Sequence, residues 1–174
     1  MSLFGYFIVA RSARPIGDLP CVQRACRHSL EGGEPAALGR DKADGDWQYV
    51  YIYRGQGLYA DDVANETGAP ALVIDVIESA VGIVHGATPD RDSWWGCLNP
   101  AEAVRVYDMP PDMVASSAET VQMATEWAAA TGRAAHADLA VTAVERYVGG
   151  FGESVNDFVA ALGFQFERHE VGDG

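Results

Sequence analysis

One cysteine of the sequence lies among residues that could give it catalytic chemistry. Cys97 belongs to the stretch DSWWGCLNP, residues 92–100. A cysteine acts as a nucleophile when a nearby base helps to remove the proton of its thiol. His85 is the histidine that the sequence places nearest to this stretch, and the carboxylate of Asp90 or Asp92 could orient its ring. These residue types make Cys97, His85 and Asp92 candidates for nucleophilic catalysis.

The end of the same stretch has the pattern of a helix start. Asn99 is a good N-cap residue, Pro100 suits the first helical position, and Glu102 stands at the third. Leu98 then takes the apolar position before the cap, which faces the core. Neither a nucleophile elbow nor a cysteine-hydrolase signature surrounds Cys97. The pattern favours a structural role for Cys97, with catalysis as the alternative.

Two adjacent tryptophans lie in an acidic segment that we predict to be a loop, residues 87–99. Trp94 and Trp95 follow Asp90 and Asp92. Neighbouring side chains of an extended segment point in opposite directions, so at most one of the two tryptophans is easily buried. Exposed aromatic side chains often anchor protein interfaces. We therefore predict a binding surface formed by Trp94, Trp95, Asp90 and Asp92.

A single carboxylate interrupts an otherwise apolar run, ALVIDVI at residues 71–77. If Asp75 is buried there, its charge needs a partner such as an arginine or a backbone amide. A catalytic role for Asp75 is one interpretation. A solvated position or a structural hydrogen bond is the commoner outcome for such an acid.

The segment GQGLYA has the spacing of a dinucleotide-binding fingerprint. Gly55 and Gly57 follow a predicted strand and precede a predicted helix, and Glu78 lies 23 residues after Gly55. In that fingerprint the glycines admit a pyrophosphate and the acid binds a ribose hydroxyl. The helix is short, however, and the strand and helix alternation of a doubly wound sheet is missing. We favour an ordinary glycine turn and predict no cofactor.

Two cysteines and a histidine near the N-terminus resemble a metal cluster only superficially. On a helix Cys21 and Cys26 lie about 140° apart, at about 100° per residue, so their thiols cannot share one ion. His28 is the third member of the group. We predict no metal site here.

Aromatic side chains occupy alternate positions of the segment WQYVYIYR, residues 47–54. Such a face could stack against bases or sugars. The net charge of −13 disfavours nucleic acid. We therefore expect this face to pack beneath the C-terminal helices.

Local signals predict all the strands in the first half of the chain, with two helices between them, and three further helices in the second half. We expect strands at 4–10, 47–54, 71–77 and 80–86, the last two as a hairpin, and helices at 19–30, 60–67, 117–131, 136–148 and 153–162. This order predicts an α+β fold, with a mainly antiparallel sheet of about four strands and the C-terminal helices on one face. We expect a single domain over residues 1–174: strand-rich in 1–86, a loop in 87–99, and helical in 100–164.

The composition is acidic and argues against several classes of partner. The 174 residues carry 12 basic and 25 acidic side chains, and the excess of acid lies after residue 42. Such a surface repels nucleic acid and anionic membranes, and it suits a basic protein. The apolar run at 3–10 is too short for a signal peptide or a membrane span. Three cysteines make no disulfide framework, so we expect a cytoplasmic protein.

No family resemblance emerges from these patterns, and no complete catalytic set is present. The sequence favours a non-catalytic protein that acts by protein–protein binding, with an inhibitor or immunity-like role by analogy alone. The alternative is a small-molecule-binding protein or enzyme with a pocket around Cys97, His85 and Trp94/Trp95. A homodimer, formed through a sheet edge or the tryptophan segment, also stays open.

Overall fold

The fold is α+β, as expected, with a larger sheet than the sequence indicated. The computed structural model describes residues 2–27 and 42–166. Within them, six strands form one open antiparallel sheet and six α-helices pack on it. The strands are β1 (Gly5–Arg11), β2 (Lys42–Asp44), β3 (Trp47–Tyr53), β4 (Ala71–Ile77), β5 (Val81–Ala87) and β6 (Ser93–Leu98). The helices are α1 (Pro20–Arg27), α2 (Ala60–Thr67), α3 (Pro100–Arg105), α4 (Ser117–Ala130), α5 (Ala137–Val144) and α6 (Glu153–Ala161).

The sheet has the strand order β2-β3-β1-β4-β5-β6, and each neighbouring pair is antiparallel. The near-central strand β1 pairs with β3 on one side and β4 on the other. Its residues 5–10 are buried on both faces of the sheet. This position explains why the segment is apolar throughout, since neither face of such a strand meets water.

Helices cover both faces of the sheet, which exceeds the single covered face that we predicted. The C-terminal helices α4, α5 and α6 pack on one face, against a core that includes Phe7, Trp47 and Tyr49. This α4–α6 face thus buries part of the aromatic set of β3, as expected. Helices α1 and α2 pack on the opposite face, over Ile8 and Val50 among others. We call this second surface the α1–α2 face.

The predicted loop at 87–99 contains one of the two strands that the expected four lack, and the other is the short strand β2. Residues 93–98 form β6, which pairs antiparallel with β5 and leaves a connecting loop at 88–92. Gly96 helps to place this strand under α4, because a Cβ atom there would contact the side chain of Thr120. The predicted hairpin of β4 and β5 is confirmed.

Local helix signals agree with the structure in most places. A capping box joins Ser116 and Glu119 at the start of α4, and Gly68 ends α2 in the left-handed region with φ 67°. Asn99 differs from the prediction. It precedes α3 with φ 59° and makes no side-chain cap, since its Nδ2 donates to the carbonyl oxygen of Ala80. Helix α5 ends at Val144, four residues earlier than expected.

No helix in the described ranges has the length and apolar character needed to cross a membrane.

Candidate ligand-binding site

A cavity of about 590 Å³ lies on the α1–α2 face, where the loop of residues 55–59 meets the sheet. Small-molecule sites commonly have volumes of roughly 300–1,000 Å³. Strand register builds its floor: Tyr6 of β1, Asp75 of β4 and Ile83 of β5 are cross-strand neighbours in one row. The next row places His85 between Val73 and Trp95. The cavity thus combines residues of β1 with residues of the later strands β4, β5 and β6.

Asp75 is the acidic side chain of this floor. Alternation along β4 directs it to the same face as Val73, and its residue is half-buried. In the described part of the chain, no group forms a hydrogen bond or ion pair with its carboxylate. Burial raises the pKa of Asp75 to about 6. The partner that the sequence led us to expect is therefore missing within the described ranges, and the carboxyl group faces the cavity.

His85 is fixed by the start of α2. Its Nδ1 accepts a hydrogen bond from the backbone N–H of Ala60 at 3.0 Å, so the neutral ring carries its proton on Nε2. Nε2 lies 3.3 Å from Oδ2 of Asp61, in an orientation that makes no hydrogen bond. Burial lowers the pKa of His85, although Asp61 acts in the opposite direction. The ring is therefore neutral near pH 7, and its nearest carboxylate belongs to α2 and not to the predicted Asp92.

Aromatic rings form the rim of the cavity beside His85. The indole of Trp95 stacks on the imidazole, with ring centroids 3.9 Å apart and planes 8° apart. Tyr59 meets both rings edge-on, at centroid distances of 6.3 and 6.4 Å. Tyr59 and Trp95 are each 50% exposed. The rim therefore presents aromatic surface to solvent around a neutral histidine.

The loop of residues 55–59 lines the cavity, and two of its amides already donate within the protein. The N–H of Gln56 donates to the carbonyl oxygen of Ala25, and the N–H of Gly57 donates to the Tyr6 hydroxyl, each at 3.1 Å. Amides turned into the protein cannot hold a pyrophosphate, which needs several free donors. Glu78 lies in the β4–β5 turn and accepts a hydrogen bond from Tyr107 at 2.6 Å. Gly55, Gly57 and Glu78 thus do not assemble the dinucleotide fingerprint.

Cys97 lies outside the cavity lining. Its side chain is 2% exposed and packs in a small cluster with Ala80 and Ala103. The thiol donates to the carbonyl oxygen of Leu98 at 3.5 Å. Burial raises the pKa of Cys97 to about 12, so the thiol is protonated at neutral pH. This environment opposes the thiolate that nucleophilic catalysis requires.

The proposed surface of tryptophans and aspartates is divided between two faces of the sheet. Trp95 lies at the cavity rim, whereas Trp94 points to the other face, lies over Gly86 and packs against the α4–α6 core. Asp90 and Asp92 are exposed in the loop at 88–92. Of the pocket suggested by the sequence, His85 and Trp95 line the cavity, while Cys97 and Trp94 do not.

Tyr6, Tyr59 and Ile83 contribute to the site but were not among the predicted residues. Tyr6 lies in a run that is apolar at almost every position, which gives no sign of a cavity. Tyr59 had one usable signal, since it directly follows a glycine-rich turn at the start of a predicted helix. The register of β1 against β4 brings Tyr6 beside Asp75, and no local pattern specifies that register.

The cysteines of α1 make contacts of a structural kind. The backbone N–H of Cys21 donates to the carboxylate of Glu66, which satisfies a free amide at the start of α1. Cys21 is buried and Cys26 is half-buried. His28 lies outside the described residues. Over the ranges that the structure covers, no group of three His, Cys, Asp or Glu side chains is arranged to hold a metal ion.

Comparison of the chain with models of protein families, with curated proteins and with solved structures finds no significant match.

Proposed function

We propose that the protein binds a small organic molecule in the cavity of the α1–α2 face. The observation that carries this proposal is the combination of a half-open cavity, a mostly apolar lining and one carboxyl group without a partner among the described residues. Ligand sites are typically apolar cavities with a few polar groups that orient the ligand. An acid in a cleft whose pKa is strongly raised by desolvation also tends to occur at functional sites.

Binding without covalent catalysis fits the chemistry of the site best. The thiol of Cys97 is buried and outside the cavity, and Nδ1 of His85 is engaged by the N–H of Ala60. Asp75 is the remaining candidate for acid–base chemistry, and the described residues that line the cavity include no serine, threonine, cysteine or lysine that it could activate. We therefore propose a binding site in this cavity, rather than catalysis by Cys97, His85 and Asp92.

Fluorine NMR on protein labelled with 5-fluorotryptophan tests this proposal, because the chain has four tryptophans. We expect a subset of a fragment library to shift the resonance of Trp95, assigned through Trp95→Phe, while Trp47 and Trp127 in the opposite core stay unchanged. Ile83→Phe fills the cavity and should abolish the shifts. Leu139→Phe enlarges an exposed side chain of α5 and is the matched control.

Two results would overturn the proposal. One is that no fragment at millimolar concentration moves the Trp95 resonance. The other is that Ile83→Phe retains the same fragment affinities as Leu139→Phe, which would place binding outside the cavity.

A protein partner is the second candidate, favoured by the exposed aromatic rim of Tyr59 and Trp95 together with the net charge of −13. A basic partner would suit this surface, since aromatic anchors and complementary charge stabilise interfaces. Affinity capture from the source cell should retrieve a basic protein with the wild type and lose it with Trp95→Ala. Equal capture by both would show that the rim is not the contact surface.

We propose the cytoplasm as the location, because all three cysteines are free.

A further inference from the structure

The charges around the cavity discriminate between classes of ligand. Asp75 is the one acidic side chain among the described residues that line it, and His85 is neutral. No lysine or arginine of the described ranges contributes to the lining. The exposed carboxylate of Asp61 lies just beyond, beside the His85 ring. Among the described residues, an anionic ligand would therefore meet negative charge and no compensating cationic side chain.

Three backbone donors close to this charge are already used within the protein. The amides of Gln56 and Gly57 donate within the protein, as described above. The N–H of Ala60, at the start of α2, donates to Nδ1 of His85. The amide donors that make a helix start attractive to anions are thus partly occupied, and two acids, Asp61 and Asp62, occupy its first turn. The described lining therefore offers an anion no cationic side chain, and the donors that it does contain are neutral groups.

A cation would supply what Asp75 lacks. An ionised carboxylate that is half-buried without a partner is poorly solvated, and a positive group beside it restores favourable interactions. The remaining lining is apolar or aromatic, including Val73, Ile77 and Ile83. Aromatic rings at the rim add attraction for positively charged groups.

We infer that the ligand is an organic amine, whose ammonium group pairs with the Asp75 carboxylate and whose apolar body lies against the sheet floor and the Trp95 rim. This inference rests on the proposed function. It names the chemistry of the ligand and the residue that selects it.

Three probes of one shape test the inference: tryptamine, tryptophol and indole-3-acetate, which are cationic, neutral and anionic. Their dissociation constants are measured through the Trp95 fluorine resonance. We expect tryptamine to bind at least about tenfold more tightly than tryptophol, and indole-3-acetate to bind weakest. Asp75→Asn should remove the advantage of tryptamine. Asp90→Asn makes the same charge change in the exposed 88–92 loop and should retain it.

The pH dependence gives a second readout. The titratable groups facing Asp75 are Tyr6 from β1, His85 from β5 and Tyr59 from the 55–59 loop. Tryptamine stays protonated throughout, whereas Asp75 gains a proton near pH 6. The affinity of the protein for tryptamine should fall about tenfold from pH 7.5 to pH 5, because only protein molecules with an ionised Asp75 bind the amine. In Asp75→Asn the remaining change with pH, which reports His85, should be much smaller.

The outcomes separate this inference from the proposed function. If tryptophol or indole-3-acetate shifts Trp95 with equal or higher affinity than tryptamine, the amine inference is wrong and the cavity remains a ligand site. The same holds if none of the three probes binds while other fragments do. If neither the probes nor any fragment moves Trp95, both proposals are overturned.

Discussion

At the scale of single residues, the carboxylate of Asp75 is costly to ionise in the folded protein. Burial raises its pKa from the ordinary 3.8 to about 6, while unfolding returns it to water. One pKa unit corresponds to about 1.4 kcal/mol, so the ionised form costs up to about 3 kcal/mol of stability. Because the pKa of Asp75 is higher in the folded state than in the unfolded chain, ionisation of this group costs no stability below pH 4. The free energy of unfolding then falls by this amount as the pH rises through 6.

Asp75→Asn should therefore stabilise the protein at neutral pH. We expect the free energy of unfolding to rise by roughly 1–3 kcal/mol at pH 7.5, and by only about 0.5 kcal/mol at pH 4, where the carboxyl is neutral in the folded protein and only partly ionised in the unfolded chain. Urea unfolding at the two pH values measures the difference. Asp90→Asn, in the exposed loop, should change little at either pH. A destabilised Asp75→Asn at pH 7.5 would mean that the carboxylate has a structural partner.

At the scale of elements, β6 is an edge strand that two helices protect. Exposed strand edges invite pairing with other chains, and proteins commonly cover them. The N–H of Cys97 in β6 donates to Oγ1 of Thr120 in α4 at 3.0 Å, and the N–H of Asn99 donates to the carbonyl oxygen of Val144 in α5 at 2.6 Å. Side-chain and backbone groups of two helices thus occupy donors that a second sheet would use.

Thr120→Val should weaken this protection while preserving side-chain shape. It leaves the buried N–H of Cys97 without an acceptor, which costs about 1–3 kcal/mol. We expect a lower urea midpoint, and dimers in sedimentation experiments at high protein concentration. Thr125→Val is the matched control on the same helix, since its exposed hydroxyl donates only to the carbonyl oxygen of Gln122. Equal stability of the two variants would show that the Thr120 contact contributes nothing.

At the scale of the whole molecule, the net charge of −13 works against the compact state. Local pairs offset part of it, such as Arg133 with Asp44 at 2.6 Å, which joins the segment after α4 to β2. The excess of like charge remains, and its repulsion is greater in the folded protein than in the expanded chain.

Salt should therefore stabilise the protein near neutral pH. Raising the ionic strength from about 10 mM to about 150 mM shortens the screening length from about 30 Å to about 8 Å. We expect the free energy of unfolding at pH 7.5 to rise by roughly 0.5–1 kcal/mol. At pH 4.5, close to the isoelectric point, the effect should nearly disappear. A loss of stability with salt at pH 7.5 would show that attractive pairs dominate.

The sequence by itself determined most of the individual elements. The capping box at Ser116, the glycine end of α2 at Gly68 and the apolar run of β1 all appear in the structure near their predicted places. These features depend on residues within a few positions of each other, so their signals are local. Asp75 was also recognisable from sequence, because a charge inside an apolar run is conspicuous wherever the strand lies.

Tertiary structure decided where these elements meet and what they enclose. The sequence of 93–98 predicted a loop, and pairing with β5 made it a strand. The cavity needs Tyr6, Asp75 and Ile83 in one row, and that row depends on the register of three strands. A slip of one residue would send Asp75 to the α4–α6 face, because side chains alternate along a strand. Such register is set by contacts between distant segments, which local patterns do not contain.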